Sequence, residues 1–170
     1  MVESMSAKRL VARRATAFRG DGSECPVTVE IACAGEVYQA GAALDGGPHI
    51  VRQERSVWGA FKAVRVELEH HGWFLALAGA RLDCFPVGIE RSPGMTAVMR
   101  FMSLETGEWY GIHGAEWFGL FEEAPRDLIG TAAEQESKYQ RWDEWCTDVL
   151  RRAALERRRQ WLEKHSRPQK

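Results

Sequence analysis

No apolar run in this sequence approaches the roughly 20 residues that span a bilayer. The longest, Trp73-Phe-Leu-Ala-Leu-Ala78, has the length of a strand. Cysteine is scarce: Cys25, Cys33, Cys84 and Cys146 are irregularly spaced, and neither a CxxC nor an HxxxH pair occurs. That excludes the usual zinc spacings, and the pattern fits reduced thiols in the cytoplasm better than a disulfide framework. The glycines of Gly41–Gly47 are not followed by the Lys-Ser/Thr of a phosphate-binding loop, and Ser92 sits in a Ser-Pro-Gly turn instead of a hydrolase elbow. Residues 1–14 lack the uninterrupted apolar stretch of a secretory signal. Their Arg and Ala content is shared by transit peptides and equally by a frayed basic strand. No repeat or low-complexity block is visible. These absences lead us to expect a cytoplasmic protein with no cofactor and no metal.

What is present is a packed globule with an uneven charge. At 170 residues the chain suits a single domain, residues 1–170, and a domain of that size buries roughly 70% of its unfolded surface. Hydrophobic residues make up 45% and there are seven Trp, which argues against disorder. The first nineteen residues carry five basic groups and one acidic; Arg151–Lys170 carries eight and two. Gly20–Leu150 is left with ten basic and twenty-one acidic residues, a body of net charge −11 between ends of +4 and +6. Such a field attracts cationic partners and speeds their encounter, but says nothing about fold.

Local patterns give the elements. Lys8–Arg19 alternates loosely and ends in Gly20-Asp-Gly-Ser, a strand and turn; Val27, Val29, Ile31 and Cys33 recur at period two, a half-buried strand. Glu36–Ala40 is its antiparallel partner, and Asp45-Gly-Gly-Pro48 begins a loop. Ser56 caps a helix to His71, with Val57, Ala60, Phe61, Val64 and Leu68 as its apolar stripe and Gly72 as its stop. Lys62, Arg65, Glu67 and Glu69 take the solvent side. Strands follow at Trp73–Ala78, Leu82–Phe85, Thr96–Met102 and Trp109–His113, with an edge strand at Trp117–Phe121. Thr131-Ala-Ala-Glu134 is a capping box opening a helix to about Lys164. Tyr139, Trp142, Cys146, Val149 and Ala153 dock its first two-thirds, and the basic tail from about 157 projects or frays. The fold class is α+β: an antiparallel sheet of five to seven strands with helices 56–71 and 131–164 packed on it.

Candidate sites divide sharply. Adjacent His70 and His71 point about 100° apart on a helix and cannot share one metal; they suit the C-terminal end of the macrodipole. Asp83, Glu90 and His113 lie near strand ends, but nothing in their spacing makes them an acid–base set. The Arg151–Lys170 cluster has the charge to meet phosphate, yet the body repels it and no aromatics interleave the basic run, so nucleic acid is not the expected partner. The segment holding Trp109, Tyr110, Trp117, Phe118 and Phe121 among Glu105, Glu108, Glu116, Glu122 and Glu123 stands apart. Some of these rings belong to the core, but aromatics amid carboxylates also suit a protein-binding surface. The partner-binding set is Glu105, Glu108, Trp109, Tyr110, Glu116, Trp117, Phe118, Glu122 and Glu123.

Over roughly residues 56–145 the chain resembles a group of small bacterial proteins with a recurring Asn-Gly-Ala-Arg-x-Asp-Val-x-Pro-Ser-Gly-Met segment. Here it reads Ala78-Gly-Ala-Arg81-Leu-Asp83-Cys-Phe-Pro86-Val-Gly88-Ile, departing at Ala78, Cys84, Val87 and Ile89. Trp117-Phe-Gly-Leu-Phe-Glu-Glu-Ala-Pro125 and Gly130-Thr-Ala-Ala-Glu-Gln135 resemble the group's acidic loop and Thr-capped helix. The resemblance carries no activity and no catalytic residue. By analogy of size and charge, small acidic α+β proteins are often immunity proteins of bacterial toxin systems. The expectation is a non-enzymatic immunity protein that neutralises a toxin, most simply a basic nuclease. A chaperone or adaptor for a secreted effector, and a small hydrolase with an acidic cleft, are the alternatives. The capping box gives a first prediction: Thr131→Ala lowers stability by about 1 kcal/mol in denaturant titration.

Overall fold

The computed structural model describes residues 8–86, 94, 96–100 and 116–165. Four strands form an antiparallel meander: β1 (Lys8–Phe18), β2 (Glu24–Ala34), β3 (Val37–Leu44) and β4 (His49–Glu54). β5 (Phe74–Leu75) pairs with the end of β1, so the sheet runs β4-β3-β2-β1-β5. Alternation decides which face is buried. Val27, Val29 and Ile31 lie opposite Leu44, Ala42 and Ala40, and together with Ala15, Ala17 and Ile50 they make one covered face.

Helix α1 (Val57–His70) covers it. Ser56 Oγ accepts from the Gly59 N–H at 3.0 Å, and Gly72 follows the helix at φ 75°. Ala15, Ala17, Ala40 and Ala42 keep the sheet face low, so the large side chains of α1, Phe61 and Leu68 among them, fill the space above it. Burial of a Phe or Leu of this kind is worth about 1.5–3 kcal/mol.

A second, smaller antiparallel sheet consists of β6 (Cys84–Phe85), β7 (Ala97–Arg100) and β8 (Trp117–Gly119) in the order β6-β7-β8. Helix α2 (Ala132–His165) docks on α1 and β6, not on the large sheet. Its anchor is aromatic: Tyr139 stacks on Phe85 with ring centroids 3.8 Å apart, Phe85 meets Trp58 edge-on, and Trp142 lies against Tyr139. The capping box forms as expected, with Glu134 N–H donating to Thr131 Oγ1 at 3.1 Å and Thr131 N–H to Glu134 Oε2 at 2.8 Å.

The α+β class and the five-stranded antiparallel sheet match the sequence expectation, and several details do not. The loop expected from Asp45 is a tight turn into β4; Gly46 takes φ 72°, and Gly47 N–H donates to Leu44 O at 3.0 Å. The strand expected at Trp73–Ala78 is cut to Phe74–Leu75, because Ala78–Ala80 coils into a single tight helical turn. Leu82–Phe85 shortens to Cys84–Phe85. Of the expected docking row, Tyr139, Trp142, Cys146 and Val149 are half-buried, and Ala153 is exposed. The helix continues through His165 and is exposed from Leu150 to Lys164. The expected strand Trp109–His113 lies outside the described residues.

The largest correction concerns Arg65, expected in solvent and found 2% exposed. It belongs to the row Phe61–Arg65–Leu68, which faces inward at three- and four-residue steps. Its guanidinium donates to Gly79 O at 3.0 Å, Gly130 O at 3.1 Å and Gln135 Oε1, and pairs with Glu69 at 3.5 Å. Gln135, equally buried, donates to the carbonyls of Gly79, Arg81 and Cys84. Glu69 accepts the Ala132 N–H that opens α2. Burial pushes the Arg65 pKa down to about 10, against the pull of Glu69, so it stays charged at neutral pH. Removing one partner from a buried charged network costs about 3–5 kcal/mol. Arg65→Ala should lose that much in urea denaturation. Arg65→Lys should recover little of it, because an ammonium lacks the planar fork of donors.

Candidate functional site

The described part of the acidic–aromatic segment runs from Glu116 through β8 and the turn that follows. On β8, successive side chains take opposite faces. Trp117 turns outward and is 46% exposed, while Phe118 is half-buried beneath the Arg81 guanidinium, 4.4 Å from its ring centroid. Leu120 plugs the core and Phe121 meets Phe61 edge-on at 5.6 Å. Glu122 bends back so that its carboxylate accepts the Gly119 N–H at 2.7 Å. A Cβ at Gly119 would sit 2.9 Å from that carboxylate, so this turn suits glycine. Glu123 remains exposed, on the rim of a recess of ≈ 280 Å³ shared with Thr16, Ala76, Pro125 and Arg126.

A ladder of alternating charge supports β8 from below. Arg81 holds Asp83 through two bonds of 2.8 and 2.7 Å, Arg100 reaches the same carboxylate at 3.1 Å, and Arg100 also binds Glu116 at 3.0 Å. Burial alone would disfavour the Asp83 carboxylate. The bonds and charge of Arg81, with the charge of Arg100, outweigh it and hold the carboxyl below its ordinary range. Burial and the Asp83 charge push the neighbouring Cys84 thiol far up, so it is no nucleophile at neutral pH. An Asp saturated by two guanidiniums is a poor proton acceptor. What the ladder does is fix the pleat that aims Trp117 outward.

The structure therefore separates the nine residues of the expected partner set. Glu116, Trp117, Glu122 and Glu123 are exposed, Glu122 also accepting the Gly119 N–H, and Phe118 is half-buried against Arg81. Glu105, Glu108, Trp109 and Tyr110 lie outside the described residues, as do Glu90 and His113 of the weighed acid–base trio. His71 approaches Glu67 at 3.7 Å at the end of α1. The described cysteines are all free, and Cys25 and Cys33 share β2 with their thiols directed at backbone carbonyls. Among the described residues no three His, Cys, Asp or Glu side chains gather to hold a metal, and no helix is long and apolar enough to cross a membrane.

The larger groove, ≈ 430 Å³, opens along the first turns of α2 between Leu82, Glu134, Ser137, Lys138 and Arg141. Its carboxylate, Glu134, is held low in pKa by the Thr131 backbone and hydroxyl bonds. Glu69, whose carboxyl burial raises despite the Ala132 bond and Arg65, lies in neither recess. A scan against protein-family models and a search of curated proteins return no match.

The depressed Asp83 pKa has a defined consequence. Its contribution to stability is complete above about pH 4, the range of an unfolded aspartate, and is lost as pH falls through the lower native value. Asp83→Asn should cost about 1–3 kcal/mol at neutral pH. The gap to the parent chain should close as denaturation is repeated at successively lower pH.

Proposed function

We propose that the chain is a partner-binding protein of the immunity type, which engages a basic toxin domain in the cytoplasm and neutralises it. One observation carries the reading: Trp117 stands 46% exposed on β8, with Glu116 before it and Glu123 in the turn that follows. Exposed Trp residues are favoured anchors of protein interfaces, and carboxylates around them complement a cationic surface. The excess of acidic over basic residues in Gly20–Leu150 steers such a partner in from a distance. Carboxylates would stand in for the phosphates that a nuclease binds, while the indole sets residence time. The Arg81–Asp83–Arg100–Glu116 ladder supports this division of labour, since it already ties the residue before β8 to β7 and the Arg81 segment, which lowers the ordering needed at the moment of binding.

The test uses the protein encoded beside this chain's gene, produced with and without it. Relief of the growth arrest caused by that neighbour is the expected result. Trp117→Ala should weaken the purified complex about thirtyfold, or about 2 kcal/mol, mostly through faster dissociation. Glu123→Lys should instead slow association, most strongly at low salt. Melting temperatures recorded alongside separate lost contact from lost fold. A folded Trp117→Ala chain that binds and protects unchanged would remove β8 as the contact.

A further inference from the structure

The open edge of β1 carries a second interaction. β1 is 11 residues long, yet only Ala17 and Phe18 pair with β5. Thr16 O still accepts the Ala76 N–H at 3.0 Å. There the ladder stops, because Ala76 O accepts the Ala124 N–H at 3.1 Å instead of continuing it. Residues that bond to one neighbour alternate along a strand with residues that bond to the other. Thr16 therefore fixes the direction: Ala12 and Arg14 turn their N–H and C=O groups away from β2, toward the side that β5 occupies further along. Opposite Thr16 on β2 stands Pro26, which has no N–H to offer, in agreement with that assignment. Among the described residues no strand covers the Lys8–Thr16 stretch of this edge, and Leu10, Ala12, Arg13 and Arg14 are exposed. The other edge of the sheet is blunted: on β4, Val51 O accepts from the Arg52 guanidinium at 2.8 Å, and Glu67 holds that guanidinium at 2.7 Å.

An unpaired strand edge is a template for another chain, and charge identifies the chain that fits. Lys8, Arg9, Arg13 and Arg14 lie on this stretch, with no acidic residue among them. Arg9 pairs with Glu30 and Arg14 with Asp45, while Lys8 and Arg13 form no ion pair among the described residues. Those two share a face: the register sets Lys8 opposite Cys33 and Arg13 opposite Val29, positions an even number of residues apart on β2. A second copy laid along β1 would bring these cations against their own counterparts, and like charges directly opposite are destabilising. A strand with carboxylates at every second residue meets both cations from one face. The recess of ≈ 280 Å³ lies at the inner end of the edge, lined by Thr16 and Ala76 where the ladder stops, so a chain lying along β1 leads into it. We propose that β1 binds an extended, acidic segment of another protein by strand addition, with main-chain bonds to Ala12 and Arg14 and carboxylates at Lys8 and Arg13.

A fluorescent peptide of five Glu-Thr repeats, titrated into the full chain and followed by anisotropy, tests this. Saturable binding is expected, with slowed amide exchange at Ala12 and Arg14. A Lys-Thr peptide of the same length should bind about tenfold more weakly or worse. A Glu-Thr peptide N-methylated throughout lacks main-chain donors and should not bind. On the protein, Ala12→Pro removes an outward N–H without touching the β1–β2 ladder. It should weaken binding about tenfold at an unchanged melting temperature, and Arg13→Glu should do the same through charge. No binding of the Glu-Thr peptide overturns the proposal, as does binding that N-methylation leaves intact or that the Lys-Thr peptide equals. Protection of the Ala12 and Arg14 amides by self-association, without peptide, would also overturn it and give the edge to a second copy. The peptide variants keep the test open should Ala12→Pro misfold.

Discussion

The buried Arg65 guanidinium fixes how the parts of this molecule meet. Such a charge is tolerated only with its donors satisfied, and the acceptors come from the Ala78–Ala80 turn, the loop before α2 and the first helical turns of α2. The helix that covers the large sheet therefore also dictates where the small sheet and α2 sit. Close packing completes the junction: a Cβ on Gly79 would lie 2.5 Å from Leu120 Cδ1 and 2.6 Å from Phe61 Cε1. Gly79, Arg81 and Asp83 stand in the segment that resembles the recurring bacterial motif. Each has a structural task here: close approach, support of Phe118, and the start of the charge ladder.

From that junction two surfaces extend in different ways. β8 is held by ion pairs and by the Glu122 turn, so it presents Trp117 as a fixed projection. α2 is docked at its first turns and exposed from Leu150 to Lys164. The first holds Trp117 among carboxylates; the second is mostly acidic over Ala132–Asp148 and mostly basic over Val149–His165.

The elements with strong local signals were legible from residues alone. Ser56 and the Thr131–Glu134 box marked helix starts, and Val27, Val29 and Ile31 marked β2 by alternation. β4 was not, because Ile50 alone of its six residues is buried, which leaves no alternation to read. Trp73–Ala78 read as a full strand since its apolar run resembles one. Long-range bonds curl it instead, Ala78 N–H to Glu122 O at 2.8 Å and Ala124 N–H to Ala76 O at 3.1 Å. Arg65 was misplaced because its charge outweighed its position, although its spacing from Phe61 and Leu68 was the available signal. At the candidate site, composition marked the acidic–aromatic segment. Only coordinates separate Trp117, which faces out, from Phe118 and Glu122, which hold the strand and turn.

The central claim is that β8 and its turn form the contact with a basic protein partner. Amide hydrogen exchange of the full chain, alone and saturated with the protein encoded beside it, tests this most directly. The account predicts new protection over residues 116–123, while the already buried amides of β2 and α1 exchange as before. Binding that leaves 116–123 unprotected and shields another face would contradict it.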